Sequence, residues 1–312
     1  MTRPEFDSRG AALLGARWRS GAELARCTTF RVGGPAEWLA DVRTQAELHA
    51  TLSMAFEARI PVTLLGGGSN VLVSDAGVAG LVIRLQLAAL SQPSGEVVRA
   101  EAGVTINGLV RWMIGRGLAG LEGWAGTPGT VGGAICGNAH WKGENIGDRV
   151  RRVLVASRSG DLVEVAAEEM GFAYDTSRLQ QSGEALVWAD FVVSAGLPDT
   201  LRERARESLR YRKQTQPLAV PSAGCVFRNP DPGDPALPGD VPASAGALID
   251  RAGVKGRRVG GARISDTHAN FIVNEGAATA ADIRALVEIA RAAVRDRFGV
   301  VLRDEIVLLG TF

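Results

Sequence analysis

The sequence predicts a mixed α+β fold with a sizeable buried core. Three observations carry this: 46 % of 312 residues are hydrophobic, runs with helical spacing alternate with short strand-like runs, and residues 150–197 read as mostly β. Thr44 with Glu47 forms a capping box ahead of Leu48, Leu52, Ala55 and Phe56 at helical spacing. PVTLL follows as a strand running into Gly66, Gly67 and Gly68. A second strand, Leu81 to Leu85, and then VVRAEAGV lead to TINGLVRWMIGRG. There Ile106, Leu109, Val110, Met113 and Ile114 share one helical face and Gly117 is the stop.

RRVLVASRSGDLVEV reads as a hairpin about Ser159-Gly160, and ALVWADFVVSA as a strand. LRERARESLRYRKQTQP is a charged helix ended by Gln216-Pro217, its arginines interleaved with Glu203 and Glu207 as on a solvated face. NPDPGDPALPGDVPAS, with five prolines in sixteen residues, is an extended loop. In TAADIRALVEIARAAVRDRFG, Thr279 is the N-cap, Ile283, Leu286, Val287, Ala290, Val294 and Phe298 form the stripe, and Gly299 ends the helix. VVLRDEIVLLG closes the chain as a strand.

Composition narrows the function. Lys and Arg number 35 against 34 Asp and Glu, a net charge of +1 that offers no field to nucleic acid or an anionic membrane. Three cysteines without CxxC spacing, Cys27, Cys136 and Cys225, argue against a disulfide framework and a zinc site; three histidines without HxH or HxxxH partners argue against any metal. No signal peptide or apolar span is read, so a cytoplasmic protein is expected. Glycine is the deviation: 39 residues, well above the average share of roughly 7 %. These glycines cluster inside apolar sequence, where they let backbone approach backbone or a ligand.

Five segments can carry chemistry, each with a plainer alternative. LLGGGSNVLVSD, with Gly66, Gly67, Gly68, Ser69 and Asn70, suits a diphosphate through converging N–H groups; a tight turn is the alternative. It is neither a P-loop nor GxGxxG. LEGWAGTPGTVGGAICGNAH suits close contact with a flat or phosphorylated ligand, or a series of turns. In PSAGCVFRNP, Cys225 is a buried small hydrophobe or a reacting thiol. His268, before the strand Phe271 to Val273, is a hydrogen-bonded core residue or a ligand-binding one. Glu305 within a strand is either exposed beside Arg303 or put to use, since an unpaired buried acid is costly.

In this order and spacing the segments resemble the UDP-N-acetylenolpyruvoylglucosamine reductase family, over about Thr28 to Gly310. The markers are TTFRVGGPAE, LGGGSNVLVSD, GLEGWAGTPGTVGGAICGNA, GFAYDTS, QPLAVPSAGCVFRNP, SAGALIDRAGVKGRRVGGARIS, THANFIVNEG and GVVLRDEI. The resemblance implies an FAD-binding fold of the vanillyl-alcohol-oxidase type over residues 28–200, after an N-terminal segment 1–27. A smaller α/β substrate-binding domain, 201–312, would follow. Its Pro-rich loop 231–243 reads as an insertion that tolerates deletion.

The implied enzyme is an NADPH- and FAD-dependent UDP-N-acetylmuramate dehydrogenase of peptidoglycan synthesis, hence of cell-wall biogenesis, cell shape and division. It would be a monomer acting on UDP-N-acetylglucosamine enolpyruvate. Gly66, Gly67, Gly68, Ser69, Asn70, Thr127, Pro128, Gly129, Gly132, Gly133 and Asn138 would hold FAD, the Gly66–Asn70 and Gly129–Gly133 segments its diphosphate. Hydride would pass from flavin to C3 of the enolpyruvyl group and a proton from Cys225 to C2. A thiol, ordinarily near pKa ~8.5, is mostly protonated at neutral pH and a better acid than serine. Glu305 would stabilise the enol or relay its proton. Tyr174, Arg228, Asn229, Lys255 and His268 would contact substrate.

Two departures stand out. The family pattern Gly-Tyr-Arg-x-Ser places an arginine where this chain has Asp175, and Arg178, three residues on, is the expected substitute. His140-Trp141-Lys142 stands where Gly-Ala-Tyr is usual, which alters a wall of the flavin pocket. Another FAD oxidoreductase of the superfamily, or a non-catalytic nucleotide-sugar or flavin binder, is the alternative reading.

Overall fold

The computed structural model describes all residues, 1–312, and divides the chain into two units. The first unit takes Met1–Ala22, Ala36–Gly67 and Ala79–Tyr211; the second takes Glu23–Pro35, Gly68–Val78 and Arg212–Phe312. The sequence suggested one cut near residue 200. The second unit instead gathers two early stretches: Val71–Val73 pairs in parallel with Val307–Leu309 at the far end of the chain, and Asn274 donates to the Phe30 carbonyl, with Phe30 and Val32 buried in the same core. No helix is long and apolar enough to cross a membrane.

The first unit holds two larger sheets and two two-stranded ones. Trp18–Glu23, Pro35–Val42, Val78–Leu85 and Val62–Leu65 lie in that order in a four-stranded sheet, its last pair parallel. Helix Arg3–Leu14 buries Phe6, whose ring meets Trp18 and Trp38 edge-on at 5.4 and 5.0 Å. The other larger sheet is antiparallel, in the order Leu162–Ala166, Val150–Ala156, Ala185–Val192, Val97–Glu101, Leu90–Ser94. Its first pair is the expected hairpin, turning at Gly160 with a φ of 94°. Trp188 on the central strand lies under the Arg99 guanidinium at 3.5 Å, and Asp190 accepts from both Arg99 and Arg152.

Helix Gln45–Ala58 buries Leu48, Leu52 and Ala55 as expected, but Phe56 is 60 % exposed. It lies about 100° around the helix from Ala55, beyond the buried stripe. Thr44 caps Glu47 N–H, yet the box is only half made. The Glu47 carboxylate accepts from the Arg43 amide and pairs two-pronged with Arg17 instead. That guanidinium holds the Glu47 carboxyl down to about 2.

The second unit packs helices Ala245–Arg251 and Ala280–Phe298 with a three-stranded antiparallel sheet, Arg258–Val259, Ala262–Ile264 and Ile272–Asn274. Thr279 and Asp282 form a full capping box, and Asp75 accepts from the Ala280 and Ala281 amides as a second cap. The Pro-rich loop is not a free insertion. Val241 is buried, and Ala236 and Leu237 pack against the same core as Leu248 and Leu286. The expected closing strand is shorter than read: only Val307–Leu309 is regular, and Glu305 lies just before it.

Candidate active site

In the first unit the two glycine segments lie against each other. A Cβ on Gly66 would stand 2.7 Å from Thr130 Oγ1, and one on Gly67 would stand 2.8 Å from Gly129 Cα. Neither distance is one a side chain tolerates, so both segments stay bare backbone at their junction. Gly129 and Gly68 adopt left-handed φ values of 97° and 63°. The Val131 and Gly132 amides donate to the Val104 and Ala102 carbonyls, and Gly133 N–H to Thr130 Oγ1. Three N–H groups of the 129–133 segment are thus spent inside the protein. Thr127 and Pro128 precede it, with the Thr127 carbonyl accepting from Asn107.

Asn138, expected to touch the cofactor, has another job. It is 1 % exposed, donates to the Ala173 carbonyl at 2.8 Å and accepts from Gly147 N–H at 3.0 Å. Both ends of its amide are consumed as a staple between loops.

That staple helps seat the turn Ala173–Thr176, whose outer residues exchange backbone hydrogen bonds and whose tip is Tyr174-Asp175. Ser177 and Gln180 tie the following residues to the Cys136 carbonyl. The Cys136 thiol itself is pushed up by burial, away from the reactive thiolate. Tyr174 is 45 % exposed and its ring lies on His140, while Asp175 Oδ1 is 3.0 Å from His140 Nδ1. Arg178 does not join them. Its guanidinium makes a two-pronged pair with Glu184 at 2.9 and 2.7 Å, so the expectation that Arg178 replaces the missing arginine loses its basis.

In the second unit, Gly224 at φ 77° turns the chain into Cys225, which bridges Phe271. On the other side Glu305 N–H donates to the Val226 carbonyl at 2.8 Å, and Phe227 bridges Asp304. Cys225 and Glu305 therefore sit on laterally bonded segments, Cys225 directly before the Val226 whose carbonyl the Glu305 N–H meets. The Asn70 side chain donates to the Glu305 carbonyl, and Val307 N–H to the Asn70 carbonyl, so SNVLV is the rail that holds Glu305. The sequence offers Asn270 beside His268 but no role for it; it is 2 % exposed, and its side chain bonds both the N–H and the carbonyl of Phe227. An asparagine between apolar residues in HANFIVN was the available signal.

Three expected substrate residues gather at the Ala245–Arg251 helix. Asn229 Oδ1 accepts from Ala245 N–H, the His268 ring stands 3.0 Å from where a Cβ on Gly246 would be, and Lys255 pairs with Asp250 at 3.0 Å. Burial and then the Lys255 charge push the His268 imidazole down, toward its neutral form; its Nδ1 accepts from Asn270 N–H. Arg228 Nε is buried and meets no acceptor in the protein, leaving a donor for an anion.

The abutting glycine segments, bare of side chains, fit an FAD, whose pyrophosphate and flat ring need close backbone approach. Comparison with known proteins agrees. Residues 36–166 match the family model described as FAD binding domain, and residues 216–309 that of UDP-N-acetylenolpyruvoylglucosamine reductase, C-terminal domain. A UDP-N-acetylenolpyruvoylglucosamine reductase of Synechococcus sp. (strain WH7803) is 41 % identical over 92 % of this chain and 91 % of its own. The crystal structure of the reductase from Thermus caldophilus is 35 % identical, with a TM-score of 0.77 over 94 % of this chain and 98 % of that one. A glucose dehydrogenase, Phl p 4.0202, shares the fold alone, 13 % identical with a TM-score of 0.50 over 62 % of this chain and 44 % of its own. The fold is thus the FAD-binding fold of the vanillyl-alcohol-oxidase type with a smaller α/β domain, and the chain belongs to the UDP-N-acetylenolpyruvoylglucosamine reductase family, FAD-dependent oxidoreductases.

Proposed function

We propose that this chain uses NADPH to reduce UDP-N-acetylglucosamine enolpyruvate to UDP-N-acetylmuramate, with Cys225 as the proton donor. The observation that carries the reading is the lateral bonding of the Cys225 segment to the Glu305 segment, which brings a thiol and a carboxyl of the matched motifs onto neighbouring backbone. When bound, FAD supplies a hydride taken from NADPH to C3 of the enolpyruvyl double bond. The electron pair of that double bond moves to C2, and Cys225 gives its Sγ proton there, forming the new C–H bond; the thiolate regains a proton before the next turnover. Glu305 stabilises the enol of the adjoining carboxylate or relays that proton.

Gly66, Gly67, Gly68, Ser69, Asn70, Thr127, Pro128 and Gly129 hold the FAD. Three internally bonded amides make Gly132 and Gly133 its close-packed floor. Arg228, with its unsatisfied Nε, and Lys255 bind the substrate diphosphate, and Asn229 orders the helix beside it. His268, neutral with Nδ1 already accepting, presents Nε2–H as a donor. The enzyme works in the cytoplasm as a monomer, where NADPH and nucleotide sugars are at hand.

Cys225→Ala is the test. NADPH should still bleach its flavin, but reoxidation by the enolpyruvyl substrate should fall at least about 100-fold, whereas Cys225→Ser retains much of it. Equal reoxidation rates in Cys225→Ala and wild type would refute the donor role.

A further inference from the structure

The first unit also holds an aspartate–histidine pair that the mechanism above leaves unused. Asp175 is 7 % exposed at a left-handed φ of 53°, with one carboxylate oxygen 3.0 Å from His140 Nδ1. Its other oxygen is buried and meets no donor. A buried carboxylate with so little support is costly beside a neutral ring and much less so beside an imidazolium. The His140 ring is braced on Tyr174, centroids 4.9 Å apart. Its hairpin, His140–Trp141 with Glu144–Asn145, is held by Trp141 edge-on to Tyr211 at 5.7 Å and Lys142 Nζ 4.5 Å over the same ring. Both tyrosines of the chain are thus placed against this one hairpin.

We propose that His140, oriented by Asp175, is the cationic donor that meets the substrate's enolpyruvyl carboxylate, in the place where the family pattern has arginine. The inference rests on the reductase reading and names one further group of that site. A carboxylate on each side of an imidazole favours its doubly protonated form. Nδ1–H then keeps its bond to Asp175 while Nε2–H gives a charge-assisted bond to the ligand. Asp175 is a positioning residue; His140 is the group that touches substrate. The pair also explains how an aspartate is tolerated where a lone carboxylate would repel the substrate, and Arg178, tied to Glu184, does not compete for the role.

The chain has three histidines, so the imidazole ¹H–¹⁵N spectrum of the FAD-loaded protein holds three ring systems, with His140 assigned by His140→Gln. Titration without NADPH compares UDP-N-acetylglucosamine enolpyruvate with UDP-N-acetylglucosamine, which lacks the carboxylate; flavin absorbance reports binding. His140 is expected to take the imidazolium pattern and shift with the first ligand only. A His140 signal that stays put while the flavin reports binding, or moves equally with both ligands, overturns the proposal. If neither ligand perturbs the flavin, the reductase reading fails and takes this inference with it.

Two variants add independent readouts. Asp175→Asn should remove the imidazolium pattern of His140 in the substrate complex and slow reoxidation by substrate more than reduction by NADPH, a split that a merely structural aspartate would not give. His140→Gln should slow reoxidation by substrate about 100-fold more than it slows reduction by NADPH. Adding Asp175→Arg to it should recover most of that loss. A double variant that holds FAD, accepts hydride from NADPH and is no faster than His140→Gln counts against the proposal.

Discussion

Replacing Asn270 by alanine should cost about 3 kcal/mol of stability and loosen the segment that presents Cys225. The Asn270 side chain does for Phe227 what a neighbouring strand would. Oδ1 accepts from the Phe227 N–H at 3.0 Å, and Nδ2 donates to the Phe227 carbonyl at 2.7 Å. Alanine leaves a buried N–H and a buried C=O without partners. Each orphan costs about 1–3 kcal/mol, so the pair spans about 2–6, with water entering the vacated space pulling the value toward the lower half. Aspartate keeps an acceptor for the N–H but sets a carboxylate against the carbonyl, so it should do no better than alanine. Urea unfolding of the FAD-loaded protein, followed by circular dichroism, measures the loss. A loss below about 1 kcal/mol at unchanged denaturant slope would refute the reasoning.

Three other outcomes follow from the same structure. Gly67→Ala places a methyl 2.8 Å from Gly129 Cα, so the folded variant should purify with less flavin, read from the ratio of visible to ultraviolet absorbance; full flavin occupancy would contradict the contact. Glu47, depressed to about 2 by Arg17, contributes stability that is complete above its unfolded pKa of about 4.5 and is lost as pH falls through about 2. Glu47→Gln should flatten the stability profile across that acid window, and an unchanged profile would discount the pair. Deleting residues 231–243 removes buried Val241 and should cost about 1.5–3 kcal/mol; an undiminished unfolding midpoint would restore the loop to a dispensable insertion.

What was legible in the sequence was what depends on local chemistry. Gly66 and Gly67 stood out because bare backbone inside apolar sequence needs a reason, and the reason is Gly129 and Thr130 pressed against them. Thr279 was readable as a cap because its partner Asp282 lies one turn away. Long-range partners were not readable. Asp175 looked like a defect because nothing nearby announces His140, 35 residues earlier. Arg178 looks available in the sequence because nothing local marks Glu184 as its partner. Asn138 sat in a ligand-rich motif, yet its partners Gly147 and Ala173 give it a structural task. The apolar neighbours of Glu305 predict a strand through it, although regular pairing begins only at Val307.

The central claim is that a thiol-bearing flavoenzyme transfers the reducing equivalents of NADPH to an enolpyruvyl nucleotide sugar, and anaerobic stopped-flow absorbance on the purified protein tests it most directly. NADPH should bleach the visible flavin band, and UDP-N-acetylglucosamine enolpyruvate should then restore it with formation of UDP-N-acetylmuramate. A flavin that is bleached by NADPH but stays reduced when the enolpyruvyl substrate is added would contradict the account.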